Sequence, residues 1–170
     1  MMLTLRAAIL TACLGFSGAA AAQQANPLDV IPDKMPFNIP YGAPISLARA
    51  QAAIAAATAE AEKHGWALNV AVVDSGANLV AFGRMAQLGS IAVSEHKARA
   101  SAKFRRPTKV FEEAIQKGDI RALTIDDVIG SRGGIPLVED GKLIGAIGCS
   151  GGAGSQDEVA CMAGAATITK

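Results

Sequence analysis

Two apolar segments separated by Asp140-Gly141 constrain this chain more than any other feature, because Asp-Gly between such segments is typical of a two-residue β-hairpin turn. We predict strands at 136–139 and 142–150 that pair antiparallel. A glycine-rich bend follows, and a helix is predicted at 155–167 with Asp157 near its positive N-terminal end. The C-terminal part of the chain therefore predicts a hairpin followed by a helix.

The rest of the chain predicts a second hairpin and three further helices. Ser46, Ser90 and Thr108 each precede a helical pattern and are predicted N-caps. Alternating apolar residues flank the turn residues 75–78 and predict two strands. Strands joined by hairpins, with helices packed on them, indicate an α+β domain with an antiparallel sheet. The predicted elements are helices at 46–63, 90–103 and 108–118, strands at 67–74 and 79–85, and either a short strand or a loop at 120–132.

Residues 1–22 are typical of a secretory signal peptide. Arg6 precedes a short apolar stretch, and Ala20-Ala21-Ala22 fits a small-residue cleavage site. A lipoprotein signal that ends at Cys13 is the second interpretation. We predict a periplasmic or secreted protein with no integral membrane segment after cleavage, since no later apolar stretch is long enough to span a bilayer.

The remaining chain is predicted to be a proline-rich arm, 23–45, followed by one domain, 46–170. Prolines prevent a regular helix in the arm, which either lies across a neighbouring subunit or is loose. The whole chain has 16 basic and 15 acidic residues. This balance gives no general attraction to nucleic acid or to anionic lipid, so neither is predicted as a partner.

The glycine-rich bend, Gly148–Gly152, fits the G-x-S-x-G pattern of serine hydrolases. Those enzymes place the catalytic histidine after the serine, whereas His64 and His96 both precede Ser150. A phosphate-binding loop is also disfavoured, because no G-K-[ST] follows and the acidic residues at 157–158 would repel an anion. We predict that the glycines serve close packing of strand, helix and a second subunit.

Two cysteines of the predicted domain, Cys149 and Cys161, allow two interpretations. In an oxidising compartment they can pair. Because no C-x-x-C spacing is present, we favour two separate, small, buried residues, one on a strand and one on a helix.

His96 is the candidate metal ligand, since imidazole suits iron and could bind a haem. An exposed polar position in the middle of a helix is the alternative. Helical spacing places Arg99, Lys103 and Arg106 on about one face, where they would hold carboxylates such as haem propionates or an organic acid. Pairing with nearby glutamates such as Glu112 is equally consistent with the pattern.

Three segments, 70–85, 94–108 and 133–158, resemble the GlcG/HbpS family, whose domain also occurs at the C-terminus of PduO-type proteins. The resemblance covers about residues 46–168. It implies a profilin-like α/β/α sandwich with a central antiparallel sheet, homo-oligomers and, in some members, haem binding. The chain departs from the family at Ala77-Asn78, where members often have Gly-His. It also lacks the E-x-x-E pair associated with surface iron binding in a secreted member.

We therefore predict an exported, homo-oligomeric, small-ligand-binding protein with haem as the best-named ligand. Basic residues would hold carboxylates, glycines would permit close backbone approach, and Asp157 would cap the last helix or orient the site. The alternative is an enzyme acting on a small organic acid or carbonyl compound in a subunit-interface pocket, with Lys97 or Asp157 as acid–base group. The ligand-binding candidates that the resemblance implies are Lys97, Arg106, Thr108, Gly133, Gly134 and Asp157, with His96 as candidate haem-iron ligand.

Overall fold

A computed structural model of the protein describes residues 31–35, 37–85 and 88–168. The predicted signal peptide, with its lipoprotein alternative, and the first part of the predicted arm lie outside the described residues. From residue 37 onward the described chain belongs to one compact unit, whereas residues 31–35 contain no helix or strand. In the part of the chain that is described, no helix is long and apolar enough to cross a membrane.

The described chain contains four helices and four strands in the predicted order. They are α1 (Leu47–Lys63), β1 (Asn69–Asp74), β2 (Leu79–Arg84), α2 (Ile91–Phe104), α3 (Lys109–Gln116), β3 (Gly134–Glu139), β4 (Lys142–Ser150) and α4 (Gly154–Ala165). The ambiguous segment 120–132 holds a short 3-10 helix, Ile120–Thr124, followed by irregular chain. The strands pair antiparallel in the order β2-β1-β4-β3, which confirms the α+β fold.

Both hairpin turns form as their residues predict. Asp140 and Gly141 have φ values of 48° and 72°, the positive pair that a type I′ turn requires. In the β1–β2 turn, the Asp74 carboxylate accepts hydrogen bonds of 2.8 and 2.9 Å from the N–H groups of Gly76 and Asn78. These local bonds explain why the two turns are readable from sequence.

The sheet lies between two helical layers, as in an α/β/α sandwich. Helices α1 and α4 cover one face, over a core that includes Leu68, Val70 and Ile147. Helix α2 covers the other face, over a second core that includes Val73 and Ala98. The side chains on α2 that meet the sheet are mostly small, so the helix backbone lies close to the strands.

Gly148 is the position where this close approach is tightest. A Cβ atom there would overlap the Ser94 carbonyl oxygen and lie 2.5 Å from the Ala98 nitrogen, both in the backbone of α2. The glycine is therefore required by packing between β4 and α2, as the sequence predicted for this bend.

We expect Gly148→Ala to lower the free energy of unfolding by about 1–3 kcal/mol, because α2 has to shift to admit the methyl group. Urea denaturation followed by circular dichroism measures the change. Gly89→Ala is the matched control, since a Cβ at Gly89 meets no heavy atom of the described residues within 4 Å. Equal midpoints for the two variants would contradict the close approach.

Residues 39–45 of the predicted arm pack along the start of β4. Leu143 donates its N–H to the Pro40 carbonyl at 2.8 Å and accepts from the Gly42 N–H at 2.7 Å. Ile45 is buried in the core of the same unit. The compact unit therefore begins earlier in the chain than the predicted domain boundary.

Cys149 and Cys161 are joined by a disulfide, so the prediction that they stay separate was wrong. Their predicted placement is confirmed, since Cys149 lies on β4 and Cys161 on α4, both completely buried. Helix α4 folds back over β4 and brings the two Cα atoms to 5.6 Å, the usual range for a disulfide. Spacing along the chain does not reveal this approach, because it depends on the crossing of helix and strand.

Candidate functional site

A buried ion pair lies at the centre of the predicted site residues. Lys97 comes from the middle of α2 and Asp157 from the first turn of α4, helices on opposite faces of the sheet. Lys97 Nζ lies 2.8 Å from Asp157 Oδ2, and the two side chains are 1% and 3% exposed. The second oxygen, Asp157 Oδ1, accepts a 3.0 Å hydrogen bond from the Gly152 N–H. The pair therefore links the two helical layers and leaves little of either charge to solvent.

The two glycines at the start of β3, Gly133 just before the strand and Gly134 as its first residue, leave just enough room for this pair. Gly133 has φ of 115°, and a Cβ there would lie 2.8 Å from Asp157 Cβ and 3.2 Å from Lys97 Nζ. A Cβ on Gly134 would lie 2.6 Å from Thr108 Cγ2. The backbone at these glycines thus occupies the space beside Lys97 and Asp157, which is the close approach predicted from sequence.

Thr108 joins α3 to β3. Its Oγ1 accepts a 2.9 Å hydrogen bond from the Gly134 N–H, and its own N–H donates to the Gly134 carbonyl at 3.0 Å. Thr108 does occupy the N-cap position of α3, but its side chain makes no cap hydrogen bond. The Thr108 hydroxyl, which the sequence predicted to cap α3, therefore bonds to β3 instead.

Arg106 lies just before Thr108 but faces the N-terminal segment. Its guanidinium stacks 3.5 Å from the ring centroid of Phe37, and its Nε donates to the Phe104 carbonyl at 3.0 Å. Desolvation, together with the neighbouring Arg105 charge, lowers the pKa of Arg106. None of the described acidic residues forms a salt bridge with Arg106.

His96 is next to Lys97 in sequence but half-exposed, on a different side of α2. Its Nε2 lies 3.1 Å from the Asp127 carbonyl oxygen. Because a carbonyl only accepts, Nε2 carries the proton, and Nδ1 of the neutral ring keeps a lone pair. The Asp127 carboxylate pairs with the Lys103 ammonium, whose hydrogen bond lowers the pKa of Asp127.

An exposed apolar segment precedes Asp127. Ile120, Leu123 and Ile125 are 67%, 62% and 52% exposed, although Ile120–Thr124 is helical. Three large apolar side chains at such exposure on a short segment favour contact with a ligand or with another protein. The surface made of His96, Lys103 and Asp127, with the exposed Ile125 two residues before Asp127 in the chain, is called the His96 surface below.

Sequence analysis missed a second ion-pair group, made of Glu112, Arg132 and Glu158, in which Arg132 precedes Gly133 and Glu158 follows Asp157 in the chain. Glu112 accepts hydrogen bonds from the Arg132 N–H at 2.7 Å and from Arg132 Nε at 2.8 Å. Burial raises the pKa of Glu112, but these hydrogen bonds outweigh it and hold the pKa below its ordinary value. Arg132 Nη1 also reaches Glu158 at 3.4 Å. The position of Arg132 directly before the two glycines was the available signal.

The serine of the G-x-S-x-G match is a structural residue. Ser150 ends β4 and is 6% exposed, and its carbonyl accepts a 3.0 Å hydrogen bond from Ser90 Oγ. The two histidines bond elsewhere, His64 to Glu60 and His96 to the irregular chain. In the part of the chain that is described, no three His, Cys, Asp or Glu side chains are grouped so as to hold a metal ion.

The family model described as "Haem degrading protein HbpS-like" matches residues 45–166. The chain belongs to the HbpS-like family. This confirms the resemblance drawn from the three sequence segments, and the match ends one residue after α4.

Relatives of this HbpS-like chain support the assignment. GlcG of Escherichia coli strain K12 is 41% identical over 108 residues, which make up 62% of this chain and 81% of GlcG. The crystal structure of HbpS is similar with a TM-score of 0.69 and 28% identity, over 77% of this chain and 94% of HbpS. The crystal structure of a PduOC–haem complex is similar with a TM-score of 0.66 and 26% identity, over 74% of this chain and 95% of PduOC.

Proposed function

We propose that this HbpS-like chain is an exported, homo-oligomeric, haem-binding protein. Family membership and the similarity to PduOC, which was crystallised with haem, support haem as the ligand. The disulfide supports export, because such bonds persist in oxidising compartments and are rare in the cytosol.

The His96 surface has the chemistry that haem requires. Haem needs an iron ligand, apolar contact for the macrocycle and cations for its propionates. His96 offers an imidazole, and its hydrogen-bond partner Asp127 follows the exposed Ile125 by two residues. Lys103 lies at the same place, and its pair with Asp127 is solvent-exposed, so a propionate would compete for it at far lower cost than for the buried Lys97. Bound haem would supply a redox-active iron centre, and the residues of the His96 surface would bind and orient it.

The observation that carries the proposal is the half-exposed imidazole of His96, held at the Asp127 backbone two residues after the exposed Ile125. The assignment to ligand binding of all six candidates stays a prediction, and these are Lys97, Arg106, Thr108, Gly133, Gly134 and Asp157. In the described chain the Lys97 ammonium already has a carboxylate of its own, so a propionate would have to displace Asp157.

The enzymatic alternative also requires the pair between Lys97 and Asp157 to open. Lys97 and Asp157 are each other's partners and are almost completely buried. An acid–base group must come within hydrogen-bond distance of the proton that it transfers. A substrate would therefore have to open the pair, and the structure favours binding at the His96 surface over acid–base chemistry at this pair.

Haemin titration tests the proposal. We expect a shifted Soret band in the wild-type protein, and we expect His96→Ala to weaken binding about tenfold or more, which corresponds to about 1.4 kcal/mol. The reason is that the substitution removes the iron ligand and leaves the apolar contacts.

His64→Ala is the matched control, since the chain has two histidines and His64 lies at the end of α1, stacked on Trp66. It should retain the wild-type affinity. The absence of any Soret shift would remove haem as the ligand. An unchanged affinity in His96→Ala would remove the role of His96 alone.

A further inference from the structure

Strand β2 forms an edge of the sheet that no described residue covers with backbone hydrogen bonds. It is the first strand in the order β2-β1-β4-β3, and residues 79–84 pair with β1 alone among the described residues. The opposite edge, β3, is protected. Gly134 both donates to and accepts from Thr108, and Pro136 has no N–H to offer.

The side chains of β2 add to this difference between the two edges. The strand reads Leu-Val-Ala-Phe-Gly-Arg, without proline and with its one charge at the end. Leu79 is 45% exposed and the next three residues are half-buried. Helix α1 packs on one face of β2, whereas α2 lies over the other three strands. An accessible apolar edge strand is a template for pairing with another strand.

We propose that β2 pairs antiparallel with β2 of a second copy of this chain, so that two four-stranded sheets become continuous. The pairing rests on the homo-oligomer proposed above but not on haem binding. It satisfies the free N–H and C=O groups of both strands at once, since a twofold axis places the same edge opposite itself.

Charges at the two ends of β2 favour a second copy over a foreign strand. Arg84 ends the strand, and Asp74 lies at its other end, where the Asp74 N–H donates to the Asn78 carbonyl at 2.9 Å. Among the described residues neither Arg84 nor Asp74 has an ion-pair partner. A twofold axis exchanges the two ends, so each Arg84 approaches Asp74 of the other copy.

Sedimentation equilibrium tests the contribution of the charges. We expect wild-type protein to self-associate and Arg84→Glu to raise the dissociation constant about tenfold or more. Lys142→Glu is the matched control, because Lys142 is an exposed cation at the start of β4, in the other hairpin, and forms no ion pair with any residue that the structure describes. A wild-type monomer, or equal dissociation constants for the two variants, would overturn the inference.

Cysteine cross-linking tests the geometry. Antiparallel strands related by a twofold axis have one residue that faces itself, with Cβ atoms about 4.5–5.5 Å apart. In a Cys13→Ser background the two remaining native cysteines are bonded to each other. Among Val80→Cys, Ala81→Cys and Phe82→Cys, at least one should give an oxidised dimer, whereas Val138→Cys on β3 should not.

The experiments distinguish a failure of the β2 pairing from a failure of haem binding. No cross-link at any of the three β2 positions would exclude β2 pairing even if haemin still shifts the Soret band. A β2 cross-link without a Soret shift would keep the dimer and remove haem. Cross-linking at Val138 instead would move the contact to the β3 edge and overturn the inference.

Discussion

Asp157→Ala is expected to lower the free energy of unfolding by about 3–5 kcal/mol, because it leaves the Lys97 ammonium without a carboxylate in the protein interior. Lys97 is 1% exposed and bonds to Asp157 at 2.8 Å. The substitution also removes the acceptor of the hydrogen bond that the Gly152 N–H donates to Asp157. Urea denaturation at neutral pH, with the disulfide intact, measures the loss, which is large against the usual stability of about 5–15 kcal/mol for a single domain.

A double variant separates the charge from the packing. Lys97→Met with Asp157→Ala buries no charge, so we expect it to be more stable than Asp157→Ala alone. Asp119→Ala is the surface control. Asp119 pairs with Arg121, but both side chains are substantially exposed, so the expected loss is small beside that of Asp157→Ala.

The outcome also bears on the ligand. If Asp157→Ala unfolds as easily as Asp119→Ala, then water reaches the pair and a propionate can compete for Lys97. If the loss is as large as expected, the pair holds α2 to α4 and the ligand binds elsewhere. The double variant should then still bind haemin through His96.

Local signals made the elements of this fold predictable. The side chain of Ser46 accepts a hydrogen bond from the Arg49 N–H at the start of α1, and Gly65 follows its end with a φ of 70°. Asp140-Gly141 adopts the positive φ values that its turn requires. Each of these features depends on residues that are close in sequence, which is why pattern and spacing predict them.

Contacts between distant segments account for what the sequence did not predict. Ser90 and Thr108 occupy N-cap positions, yet their hydroxyls bond to other strands, Ser90 to the Ser150 carbonyl and Thr108 to Gly134. Either partner is available only after the sheet has formed. The family resemblance predicted that Lys97, Asp157 and the glycines belong to one site. Only the structure shows that Lys97 and Asp157 are buried.

Removing the disulfide with Cys149→Ala and Cys161→Ala is expected to lower the free energy of unfolding by about 3 kcal/mol from the loss of the cross-link alone. The bond closes a loop across a sequence separation of 12 residues and so restricts the unfolded chain. Both cysteines are completely buried, and the lost sulfur atoms leave small cavities that add to the cost.

Dithiothreitol provides the control for this prediction. Because both cysteines are buried, the reductant should act on wild-type protein only as it unfolds, and should then lower its urea midpoint toward that of the double variant. The variant has no cross-link to reduce and should be insensitive. A wild-type midpoint that matches the variant without reductant would show that the disulfide adds no stability. A large difference would mean that the chain reaches full stability only where thiols are oxidised, in agreement with the proposed export.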